Sequence, residues 1–137
     1  MSCDIHSYVE VFDGEMRQKV EDDPIRQQSY RLFGWLADVR NYSEVQPLSQ
    51  PRGLPADVSD GVKQKHEGFW ELNGHSHSWL SLDELLLELA GGVESRKGPR
   101  GEVTLREFLG QGFLDMLEEL KGLVDPNRVR IVFWFDN

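Results

Sequence analysis

The chain has 137 residues, 39% hydrophobic and 28% charged, enough for one domain with a core of its own. Its 24 acidic residues against 15 basic ones leave a net charge of −9, which argues against general binding to polyanionic nucleic acid. A single cysteine, Cys3, excludes an intramolecular disulfide framework and a cysteine-rich zinc module; no apolar run reaches the length of a membrane span, and no leader pattern opens the chain, so a cytoplasmic protein is expected.

Residues 3–12 alternate as a strand, with Ile5, Val9 and Val11 on one side and Asp4, His6, Tyr8 and Glu10 on the other. Asp13-Gly14 suits a tight hairpin turn, and residues 15–20 alternate again as the return strand. From about residue 27 to 40 the period becomes helical, with Leu32, Phe33, Trp35, Leu36 and Val39 forming an apolar stripe. Gly34 lowers helix propensity there, and its missing side chain leaves room for a close neighbour.

Residues 41–68 carry Pro47, Pro51 and Pro55 and read as a long irregular segment, the first candidate for a substrate or partner loop. A short helix over 57–65, capped by Asp57 or Ser59, is expected inside it. Phe69-Trp70-Glu71-Leu72 reads as a strand that turns at Asn73-Gly74 into a second strand, His75 to Trp79. Ser81 with Glu84, and Thr104 with Glu107, are capping boxes that open two helices. The first of these is expected over 82–90, and the second runs unbroken to about Leu120. Residues 95–101 between them read as a mobile loop. Val129 to Phe135, rich in β-branched and aromatic residues, is the strongest strand signal. The fold expected is α+β: a single small domain over 1–137, with an N-terminal hairpin, a C-terminal strand paired with it, and three or four helices packed on the sheet.

Two pairs at every-other-residue spacing, Asp4/His6 and His75/His77, bear on chemistry, because positions i and i+2 of a strand share a face. Antiparallel pairing of the terminal strands would bring Asp136, at the end of the last, beside Asp4 and His6. The expected metal set is therefore Asp4, His6, His75, His77 and Asp136, an N/O donor set suited to zinc, manganese or iron. Asp4 or Asp136 would act as general base, and Arg40 and Arg52 would orient an anionic substrate. A plainer alternative stands beside it: a polar His-Ser-His-Ser turn, Asp4 paired with an arginine, and a half-buried His6. Cys3 reads as a buried structural thiol, and Trp70 and Trp79 either line a pocket or anchor the loop.

Cys3-Asp4-Ile5-His6, Tyr30-Arg31-Leu32-Phe33-Gly34 with Val39-Arg40-Asn41, Pro51-Arg52-Gly53-Leu54-Pro55, His75-Ser76-His77-Ser78-Trp79-Leu80 and the ending Phe133-Trp134-Phe135-Asp136-Asn137 together resemble a family of small bacteriophage and prophage proteins. The likeness covers most of the chain. It implies a phage-encoded protein acting in the bacterial cytoplasm and lends no catalytic role. Two functions follow from the sequence. The first is a metal-binding protein, a hydrolase of an anionic, phosphate-containing small molecule. The second is a non-enzymatic acidic protein that binds or inhibits a host protein, in counter-defence or host takeover.

Overall fold

A strand that is apolar at nearly every position has to be covered on both faces, and Val129–Asp136 (β6) is buried along almost its whole length. It pairs antiparallel with Ile5–Phe12 (β1) on one side and Gly74–Ser81 (β3) on the other. Arg17–Asp22 (β2) returns from the hairpin and pairs with β1, so the sheet order is β2-β1-β6-β3. The Asp13 carboxylate closes the hairpin by accepting the amides of Glu15 and Met16, each at 2.9 Å. The α+β class, the opening hairpin and the terminal strand pairing are as expected. The structure is a computed structural model that describes residues 2–91, 95–98 and 101–137, with 91, 95–98 and 101–103 as backbone only.

One face of the sheet carries Ile5 and Val9 of β1, Ile131, Phe133 and Phe135 of β6, and Leu80 of β3 into the main core. Tyr30–Ala37 (α1), Leu82–Gly91 (α4), Leu105–Leu109 (α5) and Gln111–Lys121 (α6) supply the rest of that core. Each fully buried large apolar side chain there is worth about 1.5–3 kcal/mol. The other face holds a smaller core of Tyr8, Val132 and Trp134. It is covered by Val62 of Asp60–His66 (α2) and by Leu54, Val58, Trp70 and Trp79. These two layers of cover explain why β6 has no polar side.

Four expectations change. Residues 69–72 are helical (Phe69–Asn73, α3): α2 ends at His66 with Glu67 as its C-cap, and Gly68 at φ +83 redirects the chain as the N-cap of α3. A short apolar run has no period that separates strand from helix, and here Trp70 turns inward while Phe69 and Leu72 stay outside. The helix expected from Thr104 to Leu120 is two, broken at Gly110, whose φ of +90 only glycine adopts without strain. The helix expected over 27–40 is the shorter α1, capped by Ser29 and ended by Asp38 in the left-handed region. Ser95–Gly98 (β4) and Gly101–Thr104 (β5) pair as a small second sheet in place of the expected loop; residues 99 and 100 lie outside the described residues. Both capping boxes form, with Ser81 Oγ 2.8 Å from the Glu84 carboxylate and Thr104 Oγ1 3.0 Å from that of Glu107.

The irregular segment is a cover for the sheet. β3 is an edge strand whose outer backbone groups need partners, and the Gly53 amide donates to the His77 carbonyl at 2.7 Å. The Arg52 amide donates to Ser78 Oγ at 3.0 Å. Beneath this cover lies an ion network. Glu10 and Arg130 are 0% and 3% exposed and meet at 2.6 Å between Oε1 and Nε. The other Glu10 oxygen accepts the Ser59 amide at 2.7 Å, and Arg130 Nη1 donates to Asp57 at 2.8 Å. That bond is the main cause holding the Asp57 carboxyl below the usual carboxylate range. Ser59 is the N-cap of α2, its Oγ accepting the Val62 amide, so two buried charges fix where α2 begins.

Candidate functional site

β1 and β6 run antiparallel with His6 opposite Trp134, which brings Asp136 beside Asp4 and His6 as the terminal pairing requires. The Asp4 amide donates to Asp136 Oδ1 at 3.1 Å, and the Asp136 amide to the Asp4 carbonyl at 3.1 Å. His6 Nε2 is 2.9 Å from Asp136 Oδ2, and its ring lies 4.1 Å from that of Trp70, centroid to centroid. Both Asp136 oxygens are thus engaged, and the His6 ring is fixed by a carboxylate on its edge and an indole on its face.

His75 and His77 do not share a face. The register with β6 steps from His75–Phe135 to Ser78–Phe133, so Ser76 and His77 together oppose Trp134. This is a β-bulge, and Ser76 carries its turn with φ +54. One extra residue inverts the parity of a strand. His75 therefore lies against Phe135, with its Nδ1 3.0 Å from Ser76 Oγ. His77 goes to the opposite face, beside Trp134.

There it meets a residue that the sequence reading passed over. His66, the last residue of α2, places Nε2 2.9 Å from His77 Nε2, with the two rings nearly perpendicular. The His66 ring packs edge-on against Trp134 at 5.0 Å. The five expected ligands therefore divide. His6 and Asp136 form one pair, to which Asp4 is tied through its backbone groups; His77 joins His66 in another; His75 stands on the other face. The buried Trp134 indole lies between the two pairs, because His6 and His77 flank it on neighbouring strands. Among the described residues, no three His, Cys, Asp or Glu side chains come close enough together to hold a metal ion by themselves.

Burial is the main cause that pushes His77 below the usual histidine pKa, with the neighbouring His66 and His75 adding to it. A proton added to His77 would be held in that buried site against a second imidazole ring. An unfolded chain takes up that proton near pH 6.5, while folded His77 resists until lower pH. The contribution of neutral His77 to stability is thus complete above about pH 6.5 and is lost as the pH falls through its lower folded value. Thermal melts between pH 8 and 5 should show Tm falling below about pH 6.5. His77→Gln should flatten that fall; an equally steep fall in the variant would contradict the assignment.

The two arginines expected to orient a substrate are occupied by the protein itself. Arg52 forks onto Glu84, with Nη2–Oε1 at 2.6 Å and Nη1–Oε2 at 3.1 Å, and also donates to the Trp79 carbonyl and Ser49 Oγ. Its guanidinium lies over the Trp79 ring, so it anchors the covering loop. Arg40 stacks over Tyr30 and donates to the Tyr42 hydroxyl at 3.5 Å. Cys3 is buried, and burial raises its thiol pKa, so it remains a protonated structural thiol.

Trp134 is fully buried, and its indole Nε1–H has no hydrogen-bond partner among the described residues. An unmade bond to a buried donor costs about 1–3 kcal/mol. No helix among the described residues is long and apolar enough to cross a membrane. The chain matches no family model, and neither a curated protein nor a solved structure is significantly similar to it.

Proposed function

We propose that the protein binds one divalent transition-metal ion, zinc, manganese or iron, through Nε2 of His66 and His77. The observation that carries this is their 2.9 Å separation, a ring-to-ring hydrogen bond whose shared proton the ion would displace. Two cis ligands on an ion with bonds of about 2.0–2.1 Å stand about 2.9 Å apart at a right angle and about 3.3 Å apart at a tetrahedral angle. A depressed His77 pKa supports it, because only the neutral ring binds a metal. Two protein ligands leave the other coordination positions to solvent and to a small anionic ligand. The reaction class that fits is hydrolysis of a phosphate-containing small molecule by metal-activated water, in the cytoplasm of a bacterial host. His6, held by Asp136 on the same face of the sheet, is the residue assigned to carry the proton. This set keeps only His77 of the five expected ligands, adds His66, and leaves Asp4, His6, His75 and Asp136 outside the coordination.

Isothermal titration with zinc or manganese should show one ion per chain. His66→Ala and His77→Ala should each weaken binding by at least about tenfold, the least that removing even an outer-shell partner of a metal ligand costs. His75→Ala should leave it unchanged. Binding that survives both substitutions, or no stoichiometric binding, would contradict the proposal.

A second reading is favoured by a different observation. Phe69 and Leu72 on α3 are 63% and 90% exposed beside Trp70, an apolar tip on a chain of net charge −9. Such a surface suits a host protein with a basic rim and an apolar pocket. A metal-free protein leaves this reading in place; stoichiometric metal lost with His66→Ala supports the first.

A further inference from the structure

The helices α4 and α6 pack on the main-core face of the sheet, whereas His77 faces the opposite way. Between them lies an open groove of about 760 Å³, floored by Leu86 and Leu89 of α4 and by Leu114 and Leu117 of α6. Ala90 and Gly110, the smallest residues of its lining, leave room at one end. With ten and eleven residues, the two helices give it walls about 15 Å long.

α4 carries one leucine more than the core uses. Leu82, Leu85 and Leu89 are buried and Leu86 reaches the groove, but Leu87 is 70% exposed. A lone exposed leucine is ordinary. This one shares a helix face with Asp83 and Ala90, at i−4 and i+3, and so forms a ridge along the edge of the groove. The charges divide between ridge and groove. Glu107 in the lining is bonded by Thr104 and Glu118 by Lys121, whereas Arg106 is exposed and Asp83 partly exposed outside those bonds. Ser95 pairs with Thr104, which returns the start of α5 to the chain leaving α4 and sets Arg106 at the Ala90 end of the groove.

We propose that a second copy of this chain fills the groove, in a two-fold symmetric dimer whose α4 helices run antiparallel. A two-fold contact needs a surface that is its own complement. Here an apolar ridge lies next to an apolar groove, so the symmetry seats each Leu87 on the leucine floor of the other copy. Antiparallel helices set the first turn of one α4 over the last turn of the other. Asp83, in that first turn, then meets Arg106 of the second copy, and the pair forms twice. The chain thus supplies ridge, groove and both charges, and no other partner is needed to account for them.

The test is sedimentation equilibrium of the full chain from about 5 µM to about 1 mM. The mass should rise from that of one chain toward that of two, because a contact between short helices is small and dissociates on dilution. Leu87→Asp and Leu87→Lys should each weaken the dimer at least about tenfold, whichever sign of charge is added. Their Tm in dilute protein should stay within a few degrees of wild type, since the side chain is exposed in a single copy. Asp83→Arg and Arg106→Asp should each weaken the dimer at least about tenfold, and together restore it to within about threefold of wild type. A chain that stays monomeric at the highest concentration, its groove left to another partner or to none, overturns the proposal. So does a dimer that the Leu87 variants or the single charge reversals leave unchanged, or that the paired reversal fails to restore. Neither result touches the reading of His66 and His77, which lies on the other side of the sheet.

Discussion

Glu10→Ala should destabilise the protein by about 3–5 kcal/mol, the usual result of removing one partner from a buried ion pair. The pair itself adds little net stability, because two charges were taken from water to form it. The loss comes from what remains. Arg130 keeps its charge at 3% exposure, with Asp57 as its other carboxylate, and the Ser59 amide loses its acceptor. Ser59 begins α2 and His66 ends it, so the effect should reach the site. Urea unfolding should report the stability loss, and zinc titration of the folded fraction should report weaker binding. Glu10→Gln should lose less, because its amide oxygen still accepts one of the two bonds. A Glu10→Ala variant within about 1 kcal/mol of wild type would show that the network is peripheral, as exposed pairs are.

Gly34→Ala should cost about 2–3 kcal/mol, against a small gain for the same change in an open helix. A Cβ there would lie 2.8 Å from Asn41 Oδ1 and 3.1 Å from Asn41 Cα. Asn41 cannot move freely. Its Nδ2 donates to the Val45 carbonyl at 2.7 Å and to Asp38 at 2.8 Å, and its Oδ1 accepts the Val45 amide at 3.0 Å. That side chain folds the turn after α1 back against the helix. A thermal melt distinguishes the outcomes: a Tm several degrees lower supports the tight contact, and an unchanged or raised Tm would contradict it.

The contrast between these residues shows where sequence carries structure. Gly34 was legible, because glycine inside an apolar helical stripe calls for a packing reason, and Asn41 supplies it. The alternation of β1 and the apolar run of β6 were legible too, since each records which faces are buried. Those patterns placed Asp136 beside Asp4 and His6 without any contact information. The bulge at Ser76 left no such record. His-Ser-His-Ser has the same composition whether or not an extra residue is inserted, and Ser76 is not a residue type that announces positive φ. His66 was hidden for a different reason. It sits in a polar, lysine-rich helix and acquires a partner only through the tertiary contact of α2 with the sheet. Glu10 looked like the polar side of its strand, and nothing local reveals that a loop covers that side or that Arg130 meets it there. Arg52 was overread, because its fork onto Glu84 joins two segments 32 residues apart.

The central claim is a metal ion on the His66–His77 pair, and anomalous diffraction from zinc-soaked crystals at the zinc edge tests it most directly. The account predicts one peak about 2.0–2.1 Å from both Nε2 atoms, with the remaining ligand density from oxygen atoms. A peak bound instead by His75, or by His6 with Asp136, or no peak on the second face of the sheet, would contradict it.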